Sequence, residues 1–295
     1  MKLKQTLIIF CLSIFSQTFS LTRRHDIPDR IYRENAHKFP PAKAVCIIEV
    51  LKKDNKSVSG RYSGILVSKN WILTAGHVGD IVQKSKIAYA KFGINSNSIQ
   101  HSVKLKKVVA HPQWKRILNT KSGHDLALIK LQKPVSHISL PMIMRNPLEN
   151  PHRIFGRKAV FVGFGRSGDG IIGVDESDKE SDKRLGAVTI RKGPRSPKLL
   201  YSRFDHPDKY RSPIQSLFRT IQSLQLTFNV APGDSGGSLF IYKDKIFQLA
   251  AIATAASVAS YKHKKKVDFK YGSVSIYTSI SAPNNRSWIL KTIRP

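Results

Sequence analysis

From about residue 42 the chain predicts an all-β fold, two units of six or seven short strands each, and three observations support this. Short apolar and β-branched runs follow one another at close spacing, turn residues separate them, and few stretches between them repeat with a helical period. Closing each sheet into a barrel suits such units, because closure removes the exposed edges on which other chains would pair.

The first group comprises "AVCIIEVL" (44–51), "YSGILVS" (62–68), "WILTAG" (71–76), "IAYAKFGI" (87–94), "VKLKKVVA" (103–110) and "DLALIKL" (125–131). The second comprises "KAVFVGFG" (158–165), "RLGAVTIRK" (184–192), "KLLYSRF" (198–204), "SLQLTFNV" (223–230), "GSLFIYK" (237–243), "FQLAAIATAAS" (247–257) and "YGSVSIYTSI" (271–280). The Pro- and Asn-containing stretch 141–157 predicts the connection, with barrel one over about 42–145 and barrel two over about 155–282. At the C-terminus, polar residues before the apolar group of "NNRSWILKTI" predict a short helix over about 284–293, docked by Trp288 and Ile289. The charged, apolar-free run 175–183 reads as a solvated loop, and its carboxylates match no calcium-ligand spacing.

Residues 1–20 have the order of a secretory signal peptide: Lys2 and Lys4, the apolar run "LIIFCLSIF", then small and polar residues up to Ser20. That run is far shorter than the roughly 20 residues needed to span a bilayer. Cleavage near Ser20 predicts export, to the periplasm or outside the cell. It leaves residues 21–41 as an N-terminal segment open to further processing, and no transmembrane segment in the mature chain. Of two cysteines, Cys11 leaves with the signal, so Cys46 has no intramolecular disulfide partner and reads as a buried, inert thiol.

The formal charge of +31 falls to about +29 when Lys2 and Lys4 are removed. Local peaks lie at 104–107, 191–198 and 262–266, without a dedicated nucleic-acid module. The charge therefore reads as solvated surface that promotes nonspecific adhesion to anionic surfaces.

Three motifs carry candidate chemistry. A serine hydroxyl is a weak nucleophile at neutral pH unless a histidine takes its proton and a carboxylate holds that imidazole in the right tautomer. In "WILTAGHV" His77 follows the end of an apolar strand, and in "HDLALIKL" Asp125 begins a strand that would bury it. In "APGDSGGSLF" Ser235 lies in a Gly-rich turn whose Gly233 and Ser235 N–H groups can converge on one oxyanion. Taken singly, each has a plainer reading: a strand-end histidine, a strand-start aspartate, a hairpin turn.

Together, in the order His, Asp, Ser, "TAGH", "HDLALIKL" and "GDSGGSLF" resemble the chymotrypsin-like (trypsin-fold) serine proteases, and the order separates them from subtilisins and α/β-hydrolases. The resemblance runs from about residue 42 to the C-terminus and includes "VVAHPQW", "FVGFG", "IYTSI" and "SWILKTI". It implies two six-stranded antiparallel β-barrels with a cleft between them. It also implies His77 as general base then acid, Asp125 as its orienting group, Ser235 as nucleophile and Gly233 with Ser235 as oxyanion donors. Protein or peptide substrates are implied, and no metal or organic cofactor.

By the same mapping Asn229, six positions before the nucleophile, borders the specificity pocket; Thr254, Ala255 and Ala256 form the strand that pairs with substrate; Ser275 lines the far wall. Asn229 is uncharged and Ala256 stands where glycine is common, so the expected preference is for small or medium uncharged side chains. Ser63, Val78 and Ala231 stand where the family places cysteines, which resembles a bacterial branch. No family-like activation end is visible: Arg30–Ile31 is one candidate cut, a segment simply following the signal peptide is the other, and Asp234 is left without an assigned partner. The expected activity is secreted serine endopeptidase; the rival is an inactive binding module on the same fold that holds an anionic partner through its basic surface.

Overall fold

The computed structural model describes residues 21–115, 122–144, 154–175, 181–191, 198–207, 226–258 and 269–294. The signal-peptide expectation, the basic peak at 262–266, most of the one at 191–198, and parts of the loops 141–157 and 175–183 lie outside the described residues.

Six strands build the first barrel: β1 (Val45–Leu51), β2 (Val58–Ser68), β3 (Trp71–Thr74), β4 (Ala88–Asn95), β5 (Ser98–Ala110) and β6 (Ala127–Leu131). It closes in the order β1-β2-β3-β6-β5-β4 with antiparallel pairing throughout. The strands β1 and β6 read almost continuously apolar because nearly every residue is buried, including Cys46, Ile47, Ile48, Leu128 and Ile129 at 0% exposure. Cys46 is a free cysteine, and burial pushes its thiol up to about 12.

The second sheet contains β7 (Lys158–Gly163), β8 (Arg184–Thr189), β9 (Leu199–Arg203), β10 (Ser238–Lys243), β11 (Ile246–Val258) and β12 (Ser273–Ser279). Their order is β8-β7-β10-β11-β12-β9, and the short strand Met142–Ile143 adds to β11 in parallel. Among the described residues this sheet curls without a full closing ladder, since β8 and β9 meet there through the single bridge Arg191↔Tyr201 just beyond the end of β8. Phe161, Phe228, Phe240 and Tyr277 fill its interior. One continuous core spans both sheets, with Val45 and Ile65 from the first and Phe161 and Leu239 from the second in the same cluster.

Among the described residues the α-helices are α1 (Asp29–Lys38), α2 (Gly76–Lys84) and α3 (Pro283–Ile293). The last agrees with the sequence expectation; Ile289 is buried and Trp288 packs against the core. The N-terminal segment is part of the fold. Leu21 and Thr22 are fully buried, and Thr22–Arg23 forms a short strand between Gly168–Asp169 and Phe228–Asn229. Helix α1 follows, and Tyr32 ties it to the residue before the short strand Phe228–Asn229 by donating to the Thr227 carbonyl at 3.0 Å. Arg184, 2% exposed, grips Asp29 of α1 with two hydrogen bonds of 2.7 and 3.1 Å. The bond Arg30–Ile31 thus lies inside a docked helix.

Candidate active site

The strand β3 delivers the chain to a turn at Ala75, and α2 begins at once with Gly76, so His77 sits in the first helical turn. Gly76 has no room for a side chain: a Cβ there would meet the Trp114 ring at 2.9 Å and Asp125 Oδ1 at 3.0 Å. Asp125 lies two residues before β6 and is fully buried. Its Oδ1 accepts from the His77 backbone N–H at 2.8 Å, and its Oδ2 accepts from His77 Nδ1, also at 2.8 Å. A third donor is the Thr254 hydroxyl, which bonds the same Oδ2. The buried carboxylate is thereby hydrogen-bonded on both oxygens, as a charge removed from water must be.

On the other side of the imidazole, His77 Nε2 lies 2.7 Å from Ser235 Oγ. The His77 ring is pulled two ways: burial lowers its pKa, but the charge of Asp125 and the hydrogen bond to it outweigh that, and the pKa stands above the ordinary histidine value. The arrangement can move a proton from Ser235 to His77 Nε2 while Asp125 stabilises the imidazolium that results.

Ser235 is held by its backbone. Its carbonyl accepts from the Ser63 N–H at 2.9 Å, and the next N–H, of Gly236, donates to the Ala253 carbonyl at 2.9 Å. Gly233 and Gly236 have φ of +94° and +87°, a region favourable only to glycine, and a Cβ on Gly236 would meet the Ser63 carbonyl oxygen at 1.9 Å. Among the described residues the N–H groups of Gly233 and Ser235 donate to no protein acceptor, leaving two donors free beside Ser235 Oγ. Ser63, noted in the sequence only as a replaced cysteine, braces this turn: its hydroxyl donates to the Gly233 carbonyl at 3.2 Å and accepts from the Phe164 N–H at 3.0 Å.

The cleft beside Ser235 has a volume of about 180 Å³ and is walled in part by Val230, Thr254, Ala255, Ala256 and Phe269. Asn229 and Ser275 face inward instead. Both are almost fully buried, Ser275 Oγ donates to Asn229 Oδ1 at 2.8 Å, and Asn229 Nδ2 returns to the Val230 carbonyl at 2.9 Å. They brace the wall from behind, and Phe269, which no motif marks, lines the cleft. Thr254 interrupts the β11–β12 ladder, where the register shifts between Ala253 and Ala255, and this irregularity frees its hydroxyl for Asp125. A lone hydroxyl within the run "AAIATAA" (250–256) is the sequence signal for that role.

Asp234 is fully buried and, among the described residues, bonded only to backbone: Oδ1 accepts from the Gly165 N–H at 3.2 Å and Oδ2 from the Ala231 N–H at 3.3 Å. Burial pushes its carboxyl up to about 7, against the pull of those two amides and of the Arg184 charge. Arg184 itself is committed to Asp29 and to the Gly165 carbonyl. Among the described residues no group of three or more His, Cys, Asp or Glu side chains is arranged to hold a metal ion.

One closed barrel and one curled sheet that share a core, with a histidine and an aspartate from the first and a serine from the second meeting at their junction, define the class of two-barrel serine proteases. The chain belongs to the trypsin family, whose model, described as Trypsin, matches residues 53–289. Similar curated proteins include a chymotrypsin-like elastase family member 1 of Macaca fascicularis, 27% identical over 105 residues, which are 35% of this chain and 39% of that protein. The venom peptide isomerase heavy chain of Agelenopsis aperta is 30% identical over 139 residues, covering 42% of this chain and 51% of that protein. Serine proteinase stubble of Drosophila melanogaster is 30% identical over 125 residues, 39% of this chain and 15% of that protein. The chain thus spans about half or less of the length of each of these relatives, and all three are animal proteins, so they do not bear on a bacterial origin.

Proposed function

We propose that the protein is a secreted serine endopeptidase that hydrolyses peptide bonds through an acyl-enzyme. The observation that carries this reading is the unbroken chain of hydrogen bonds from Asp125 Oδ2 through His77 Nδ1 and Nε2 to Ser235 Oγ, each link 2.7–2.8 Å long. In the first step Ser235 Oγ attacks the substrate carbonyl carbon while its proton passes to His77 Nε2. The tetrahedral oxyanion is received by the N–H groups of Gly233 and Ser235, and each such donor is worth about 100- to 1,000-fold in rate. His77 then returns the proton to the leaving amine, and water attacks the ester by the same route in reverse. Thr254 holds Asp125 in place for both steps.

The substrate side chain next to the cut enters the 180 Å³ cleft, whose wall is mainly apolar. Small or medium uncharged side chains suit it, in keeping with the resemblance to elastase family members. Secretion rests on the signal-like order of residues 1–20; among the described residues no helix is long and apolar enough to cross a membrane.

The test is cleavage of a denatured protein by the mature wild type and by Ser235→Ala. Sequenced fragments that disappear with the substitution support the reading, with cuts after small uncharged residues. Equal cleavage by the two proteins, or none by a correctly folded wild type, removes it.

A further inference from the structure

A second cavity lies away from Ser235, between α1, the turn Pro40–Ala44, the β4–β5 hairpin and the segment that leads into β8. Its volume is about 410 Å³, and its polar wall is made by His37, Lys43, Gln100, His101, His137 and Lys183. Among the described residues no carboxylate lines it.

Two of these groups carry buried nitrogens without adequate partners among the described residues. Lys183 is 6% exposed; its ammonium carries three N–H donors, yet among the described residues the one hydrogen bond it makes is to the Ala42 carbonyl, at 2.7 Å. Its other neighbour is the face of Phe164, 5.0 Å from Nζ, which attracts a cation but accepts no conventional hydrogen bond. The preceding residue, Asp182, does not serve as counter-ion: its Oδ2 lies against Arg33 at 3.4 Å and Arg184 at 3.5 Å. His101 Nε2 is also buried and has no hydrogen-bond partner among the described residues, and its ring packs edge-on against His137 at 4.8 Å.

A buried cation with no counter-ion costs several kcal/mol unless an anion reaches it. We propose that this cavity is a binding site for a tetrahedral oxyanion, a phosphate or sulfate group carried by a solute of about sugar size, held by Lys183 Nζ and His101 Nε2. The volume exceeds what a bare ion needs, so the group arrives on a larger molecule, with Gln100 and Lys43 at the wall to meet the remainder. Titration behaviour agrees with an excess of positive charge: burial brings the Lys183 ammonium down to about 8, and His37 is lowered by burial and by the Lys183 charge. The binding would clamp α1 to the first barrel, and it does not depend on the chemistry at Ser235.

The probes are inorganic phosphate and, separately, inorganic sulfate, titrated calorimetrically into the mature protein at about pH 6.5 and in about 0.15 M NaCl, where exposed lysines are screened beyond roughly 8 Å. The expected result is one saturable site, weakened about tenfold or more by Lys183→Met, as loss of a charged hydrogen-bond donor implies. A smaller weakening is expected from His101→Gln, whose residue lies on a partly exposed strand, so that this variant carries the comparison if Lys183→Met fails to fold. The ratio of phosphate to sulfate affinity identifies which ester the site takes. Binding that does not saturate, or that is equal in wild type and both folded variants, would show adhesion to surface charge and overturn the proposal.

Discussion

Replacing Asp125 with asparagine keeps the volume of the side chain and removes its charge, and the hydrogen bonds around it dictate the outcome. Three donors converge on the carboxylate: the His77 backbone N–H on Oδ1, and His77 Nδ1 with the Thr254 hydroxyl on Oδ2. Asparagine offers one acceptor oxygen and one NH₂, so one side must now face a donor. The backbone N–H of His77 cannot change sign, whereas the imidazole can change tautomer and the threonine hydroxyl can rotate. Setting the NH₂ against the backbone N–H would leave a buried donor unsatisfied, at about 1–3 kcal/mol. The NH₂ therefore faces Nδ1, which becomes the acceptor, and the ring proton moves to Nε2. There it points at Ser235 Oγ, 2.7 Å away, and the ring can no longer take the serine proton. A loss of about 10⁴-fold in kcat is expected, equivalent to about 5.5 kcal/mol of transition-state stabilisation. The folded state should lose little, because each buried group keeps a partner. The assay pairs initial rates on a small uncharged peptide anilide with urea unfolding of the same preparation. A kcat within about tenfold of wild type would refute the tautomer argument, and so would a loss of activity that merely follows unfolding.

Because the active form needs a neutral His77 and burial is outweighed there by Asp125, kcat/KM should rise with pH through a midpoint above the ordinary histidine value of 6.5; a midpoint below it in a rate profile would contradict that balance. Gly236→Ala places a Cβ 1.9 Å from the Ser63 carbonyl oxygen at a φ of +87°, so the turn must shift and Ser235 lose its alignment; a near-normal rate of probe labelling would count against this. Arg184→Met strips Asp29 of its two shortest hydrogen bonds but leaves Arg33 at 3.1 Å, so it should cost about 1–3 kcal/mol, read as a lower urea midpoint with faster proteolysis of the N-terminal segment; an unchanged midpoint would mean that α1 is held mainly by Tyr32 and its apolar face.

Much of the architecture could be read from the chain because burial on both faces leaves continuous apolar runs, as at Val45–Leu51 and Ala127–Leu131, and because glycines mark backbone no other residue tolerates. The proposed triad of His77, Asp125 and Ser235 is legible for a related reason: each follows or precedes a strand by a short offset, and the structure brings the three side chains within hydrogen-bond distance. What escaped was whatever depends on a side chain's direction. Asn229 and Ser275 occupy positions that could line the cleft, but a mutual hydrogen bond turns them into its supporting layer. Phe269 enters from a loop without a motif. Thr254 was assigned to a substrate-pairing strand, and only a ladder irregularity aims its hydroxyl at Asp125. For the N-terminal segment the sequence offers a cut at Arg30–Ile31 or, the preferred reading, a stretch simply following the signal peptide, and neither foretells that Leu21, Thr22 and Tyr32 are buried and that Thr22–Arg23 pairs with Phe228–Asn229. The partner of Asp234 was unreadable for a different reason, since backbone amides leave no trace in sequence.

The central claim is that Ser235 is a nucleophile activated by His77. It is tested most directly by treating the folded mature protein with a fluorophosphonate probe and locating the label by peptide mass spectrometry. The account predicts stoichiometric modification of Ser235, abolished in Ser235→Ala and slowed by orders of magnitude in His77→Ala. A folded protein that remains unlabelled, or one labelled equally well without His77, would contradict it.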